Sequence, residues 1–167
     1  MSSKAEPNIQ LPTPEEYNRF VEGLGLRRVR LIEAHIRALE PMPDPTASEV
    51  ELEESYTFNP VDGGFEAVGS FRLRIANRET QAEQGVVEVS FGFLYASERN
   101  PAAGGFEGYF QVFKEVNLPI NMWPFVREFV HNAMSRMDWP PFTLPLRKVG
   151  PAPARARSRS RSKARTP

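Results

Sequence analysis

Three stretches in which every second residue is apolar constrain this chain more than anything else in it. Val50, Leu52, Tyr56 and Phe58 alternate with Glu49, Glu51, Glu53, Ser55 and Thr57, and Glu54 is the one interruption of the apolar row. Phe65, Ala67, Gly69, Phe71, Leu73 and Ile75 alternate past Arg72 and Arg74, and Val87, Val89, Phe91, Phe93 and Tyr95 form a third row. A period of two puts each row on one face of a β-strand and leaves the opposite face wet. Turn chemistry at Asn59-Pro60-Val61-Asp62-Gly63-Gly64 and a polar loop over 77–84 separate the rows, which predicts an antiparallel meander. Such a sheet needs an apolar element laid across it.

Residues 121–137 supply one. Asn121 is a good capping type, and Pro124 fits the first turn, where its missing N–H has no intrahelical partner. Phe125, Val126, Phe129, Val130, Ala133, Met134 and Met137 then share one wide face, with Arg127, Glu128, His131, Asn132, Ser135 and Arg136 on the other. Upstream, residues 1–12 read as a flexible lead-in. Thr13-Pro14-Glu15-Glu16 has the form of a capping box opening a short helix with Tyr17, Phe20, Val21 and Leu24, which Gly23 and Gly25 stop. The class predicted is α+β.

Residues 26–40 admit two readings. As a strand, Val29 and Leu31 lie on one face and Ile32, Ala34, Ile36 and Ala38 on the other, a flip that one bulge would cause. As a helix, Leu26, Val29, Ile32, Ile36 and Leu39 make a stripe, and periodicity does not choose. Pro41, Pro43 and Pro45 enforce an extended connection up to Ser48. A flexible joint over 100–105 precedes residues 106–116 (FEGYFQVFKEV), which are aromatic without a clear period.

A length of 167 residues predicts one domain. Zero cysteines exclude disulfides, thiolate nucleophiles and Cys-based zinc sites, and two histidines leave little for metal ligation. No stretch approaches the roughly 20 apolar residues of a membrane span, and the N-terminus lacks the form of a signal peptide. The expected compartment is the cytoplasm. Phosphate loops, nucleophile elbows and zinc-protease motifs are absent from the sequence. The glutamates of 49–54 read as a solvated strand face, and His131 as a surface or subunit-contact residue. No catalytic residue, metal or cofactor is expected, and the chain reads as a non-enzyme.

The positive signal is aromatic surplus: 12 Phe, 4 Tyr and 2 Trp exceed what one sheet and one helix must bury. The segment Trp139-Pro140-Pro141-Phe142-Thr143-Leu144-Pro145-Leu146 cannot be a helix, so its apolar groups must lie on a surface, its own or another chain's. The surplus predicts an oligomer interface or an apolar groove.

Charge is divided. Residues 151–167 hold six basic residues and no acidic one, against 15 basic and 21 acidic residues in the rest of the chain. A tail alternating Arg with Ser and Ala, taken as disordered over 149–167, cannot bury enough to fold. It supports an alternative reading as a nucleic-acid-associated adaptor, with salt-dependent, sequence-independent binding.

The run Trp123-Pro124-Phe125-Val126-Arg127-Glu128, then Ser135-Arg136, Trp139-Pro140 and Leu144-Pro145, resembles the C-terminal half of SecB, the bacterial export chaperone. The resemblance implies a SecB-like domain over 13–148, with 26–40 as the first strand and 40–48 as a crossing loop. It also implies an ATP-independent holdase: a homotetramer, a dimer of dimers, that wraps unfolded polypeptides along apolar grooves. The matching groove residues are Met42, Val50, Leu52, Trp139, Phe142 and Leu144, and Arg127, Glu128, His131 and Arg136 would face a partner subunit. Partners implied are unfolded clients, the motor SecA, for which the glutamates at 49–54 are a candidate contact, or an antitoxin. The latter belongs to divergent members attached to toxin–antitoxin modules, which the Arg/Ser-rich tail recommends. The family's usual second helix has little room here, between Pro145 and the basic residues 147–148.

Overall fold

The computed structural model describes residues 9–147, so the basic tail and most of the lead-in lie outside the described residues. The elements run α1 (Pro14–Glu22), β1 (Leu24–Ala38), β2 (Ser48–Val61), β3 (Gly64–Asn77), β4 (Glu83–Ser97) and α2 (Phe106–Arg136). The capping box at Thr13 is formed: the Glu16 amide donates to the Thr13 hydroxyl at 3.3 Å, and the Thr13 amide donates to the Glu16 carboxylate at 2.8 Å.

The four strands make one antiparallel sheet in the order β1-β4-β3-β2. β2 and β3 turn tightly through Asp62-Gly63, and the positive φ of 70° at Gly63 is why glycine suits that corner. β1 and β2 are the two edges. The connection over 39–47 therefore crosses three strand spacings, about 14 Å. The buried Gln84 side chain holds both ends of this crossing. Its amide donates to the Glu40 carboxylate at 3.0 Å, its carbonyl accepts from the Ser48 hydroxyl at 2.7 Å, and its backbone carbonyl accepts from the Leu39 amide at 2.8 Å.

The open reading of 26–40 resolves as a strand with register shifts at Leu26/Arg28 and Leu31/Glu33. The second shift absorbs Ile32, whose δ-methyl lies near Gly92 on the outer face. Ala34 and Ile36 thereby return opposite Val89 and Val87, the same face on which Val29 and Leu31 oppose Phe93 and Phe91. Together the two shifts keep Leu26, Val29, Leu31, Ala34 and Ile36 on the helix side of the sheet, with Ile32 alone turned outward among them.

The long helix corrects the boundaries expected from sequence. α2 starts at Phe106, not near Asn121, and both Pro119 and Pro124 lie inside it rather than Pro124 in its first turn. Residues 106–116 are its first turns, and they do have a period: Phe106, Tyr109, Phe110 and Phe113 recur at i, i+3, i+4 and i+7 and are all buried. Each interior proline removes a helical bond and costs about 3 kcal/mol. Five large side chains fully buried from this helix, Phe106, Phe110, Phe113, Leu118 and Met122, contribute about 1.5–3 kcal/mol each, so packing decides the helix.

α2 lies over β3 and β4. Beneath it Phe65, Ala67, Phe71, Leu73 and Ile75 of β3 and Val87, Val89, Phe91, Phe93 and Tyr95 of β4 form the core, as the sequence rows predict. The opposite sheet face is polar and laced with ion pairs such as Arg30–Glu66 at 2.7 Å and Arg74–Glu51 at 2.9 Å.

Candidate functional site

Residues 139–147 leave α2 without regular structure and run back along it as a strap. At its start the Trp139 indole fits a slot above Gly85, where a Cβ would stand 2.2 Å from the ring, and its Nε1 donates to the Glu40 carbonyl at 3.2 Å. Further along, Arg127 Nε donates to the Leu144 carbonyl and Trp123 Nε1 to the Pro145 carbonyl, each at 2.8 Å. The strap ends in a bidentate ion pair, Arg147 to Glu54 at 2.5 and 2.6 Å, with the guanidinium 5.4 Å from the centre of the Trp123 ring. Glu54 opposes Phe71 in the sheet register, which places it on the apolar side; its interruption of the β2 row is explained by Arg147. The Arg147 hydrogen bonds hold the Glu54 carboxyl below the ordinary glutamate range, against the opposing effect of burial.

Where the crossing loop meets the strap, a cavity of about 470 Å³ opens, walled by Pro43, Pro45, Val50, Ile75, Trp139 and Phe142 among others. Three of the six residues expected in a groove, Val50, Trp139 and Phe142, are therefore together. Met42 is exposed on the crossing loop and outside that cavity wall. Leu52 packs against the core, and Leu144 is part of it. The strap residues are deeper than expected: Trp139 is 6% and Leu144 3% exposed, while Phe142 is half-buried. Trp139 is deep because Glu40 of the crossing loop and the floor at Gly85 enclose it, and Leu144 is deep where Arg127 of α2 holds its carbonyl.

The residues expected at a subunit contact divide as well. Glu128, His131 and Arg136 are exposed on α2, whereas Arg127 is half-buried and spends its Nε on the strap. Beside them the apolar row of β1 lies uncovered: Leu26, Leu31 and Ile36 are exposed, Leu31 by 50%, and Phe125 of α2 stands partly open next to Phe91 and Phe93. The glutamates of β2 fall on both faces. Glu51 pairs with Arg74 and Glu49 accepts from Gln81 at 2.7 Å, while Glu54 belongs to the strap.

Sequence reasoning missed Gly85, Glu54 and Arg147 as parts of this site. Glu54 alone left a signal, as a carboxylate in an apolar row that must find a cation. Among the described residues, no cluster of three or more His, Cys, Asp or Glu side chains could hold a metal ion, and no helix is long and apolar enough to cross a membrane.

No protein-family model matches this chain, and no curated protein matches it in sequence. Among solved structures it is similar to the Mycobacterium tuberculosis SecB-like chaperone Rv1957, in complex with a ChAD peptide from the Rv1956 HigA1 antitoxin. The identity is 21%, the TM-score 0.66, and the match covers 77% of this chain and 93% of that one. The likeness shows a SecB-like fold: an antiparallel four-stranded sheet, a short N-terminal helix and a long C-terminal helix.

Proposed function

We propose that this protein is a non-enzymatic, ATP-independent chaperone that holds unfolded polypeptides in the groove between the crossing loop and the strap. The observation that carries the reading is the apolar cavity at Val50, Trp139 and Phe142, set on a SecB-like fold. A client segment in extended form would place apolar side chains against Phe142 and Val50, with Met42 and the strap as adaptable borders. The neighbour's bound antitoxin peptide favours a dedicated client of that kind over a preprotein handed to SecA.

Assembly as a homotetramer in the cytoplasm belongs to the same proposal. Its support is the uncovered apolar row of β1 with Phe125, flanked by the polar Glu128, His131 and Arg136. Light scattering of an aggregation-prone protein during refolding tests the function. Suppression at stoichiometric amounts is expected, and its absence with the protein folded would refute the chaperone reading.

A further inference from the structure

The strap is anchored very differently at its two ends. Its beginning continues α2: the Trp139 amide donates to the Met134 carbonyl at 3.1 Å, the indole is locked over Gly85, and Pro140-Pro141 stiffen the path away from the helix. Its far end has no backbone partner on the sheet. Residues 144–147 are held through side chains of the body: Arg127 and Trp123 each take one strap carbonyl, and Glu54 takes Arg147. Leu144 is the only residue of that end buried in the core, while Thr143, Pro145 and Leu146 are exposed.

We propose that residues 143–147 are a releasable strap that occupies part of the chain's own groove, with Glu54–Arg147 as its latch. This rests on the chaperone reading and deepens it. Lifting the far end would vacate the Leu144 site beside the 470 Å³ cavity and extend it along α2. It would also leave Trp123 Nε1 and Arg127 Nε without partners on a half-buried surface, and the Glu54 carboxylate with the Tyr56 hydroxyl alone. Two N–H donors in that setting call for backbone carbonyls, which any extended chain presents. The strap meets that demand when no client is bound and keeps the apolar surface covered. The closed form therefore competes with clients for the same donors.

Hydrogen exchange at the Trp123 indole N–H, which donates to the Pro145 carbonyl, measured alongside capture of an unfolded polypeptide, tests this. Glu54→Gln keeps the shape of the side chain and removes its charge. It should speed exchange of the Trp123 indole N–H and tighten capture, each by about fivefold. The charge swap Glu54→Arg with Arg147→Glu should return both towards the parent values. Equal exchange in Glu54→Gln and the parent would overturn the latch, whatever capture does. Faster exchange with unchanged capture would overturn the competition between strap and client. Faster exchange with no capture by any variant, the parent included, would overturn the chaperone reading and leave the latch in place.

Discussion

Trp139 and Gly85 fit each other as ring and floor: the indole lies where the first side-chain carbon of any other residue 85 would stand. The same indole bonds the crossing loop at Glu40, so this one contact ties together the end of α2, the start of β4 and the loop between β1 and β2. Replacing Gly85 with Ala should cost about 1–3 kcal/mol, because neither the ring nor the strand has room to move. Urea unfolding followed by tryptophan fluorescence measures it.

Trp139 and Phe142 are close together in the strap but differ in burial, and that separates stability from capture. Trp139→Ala should cost about 3–5 kcal/mol, as for other large core truncations. Phe142→Ala, at a half-buried wall of the cavity, should cost clearly less while weakening capture of unfolded chains by about tenfold, as loss of an aromatic anchor does. Equal loss of stability in the two variants, with capture per folded molecule unchanged, would take Phe142 out of the groove.

Acid should open the strap before it unfolds the core. The Arg147 hydrogen bonds lower the folded-state pKa of Glu54. Its contribution is thus complete above the ordinary glutamate range and is lost as the pH falls through the depressed folded value. The Trp123 indole N–H resonance should shift across that acid window as its Pro145 carbonyl partner leaves, and Glu54→Gln should abolish the shift. A shift of the same size in Glu54→Gln would assign the acid sensitivity to another carboxylate.

The uncovered row of β1 gives a test of assembly that leaves the strap alone. Leu31→Glu with Ile36→Glu would set like charges along any surface that covers this row, so the solution mass should fall towards that of a single chain. Sedimentation velocity reads it directly, and an unchanged oligomer would place the contact elsewhere.

The sheet was legible because its rows obey a strict period of two, and the helix side of each row became the core without exception for Phe65, Phe71, Leu73, Val87, Val89 and Phe93. β1 was only half legible. A bulge shifts the phase of the row, and a shifted row of period two is indistinguishable from a helical stripe until its hydrogen-bonded neighbour is known. α2 was cut short at Asn121 because Pro124 read as a first-turn proline and Asn121 as its cap. The outcome depended on aromatic burial against a sheet distant in sequence, which no local propensity encodes. The site was legible as a set of apolar residues, but their depth was not. Trp139 is buried by Gly85 and Glu40, 54 and 99 positions away, and nothing in the segment itself points to either.

The two borders of the sheet are unlike. β2 carries Pro60, which has no N–H to offer, and a row of glutamates; β1 runs for 15 residues with no proline at all. A ribbon that can be extended on one side only has a limit to its growth. If two such sheets meet along β1, the joined object has used up its only receptive borders and shows a blunted one at each extremity. Along β1 the register shifts at Leu26/Arg28 and Leu31/Glu33 break the open border into shorter runs, so pairing through it is confined to those runs and the run-away stacking that a sheet open on both sides invites is disfavoured.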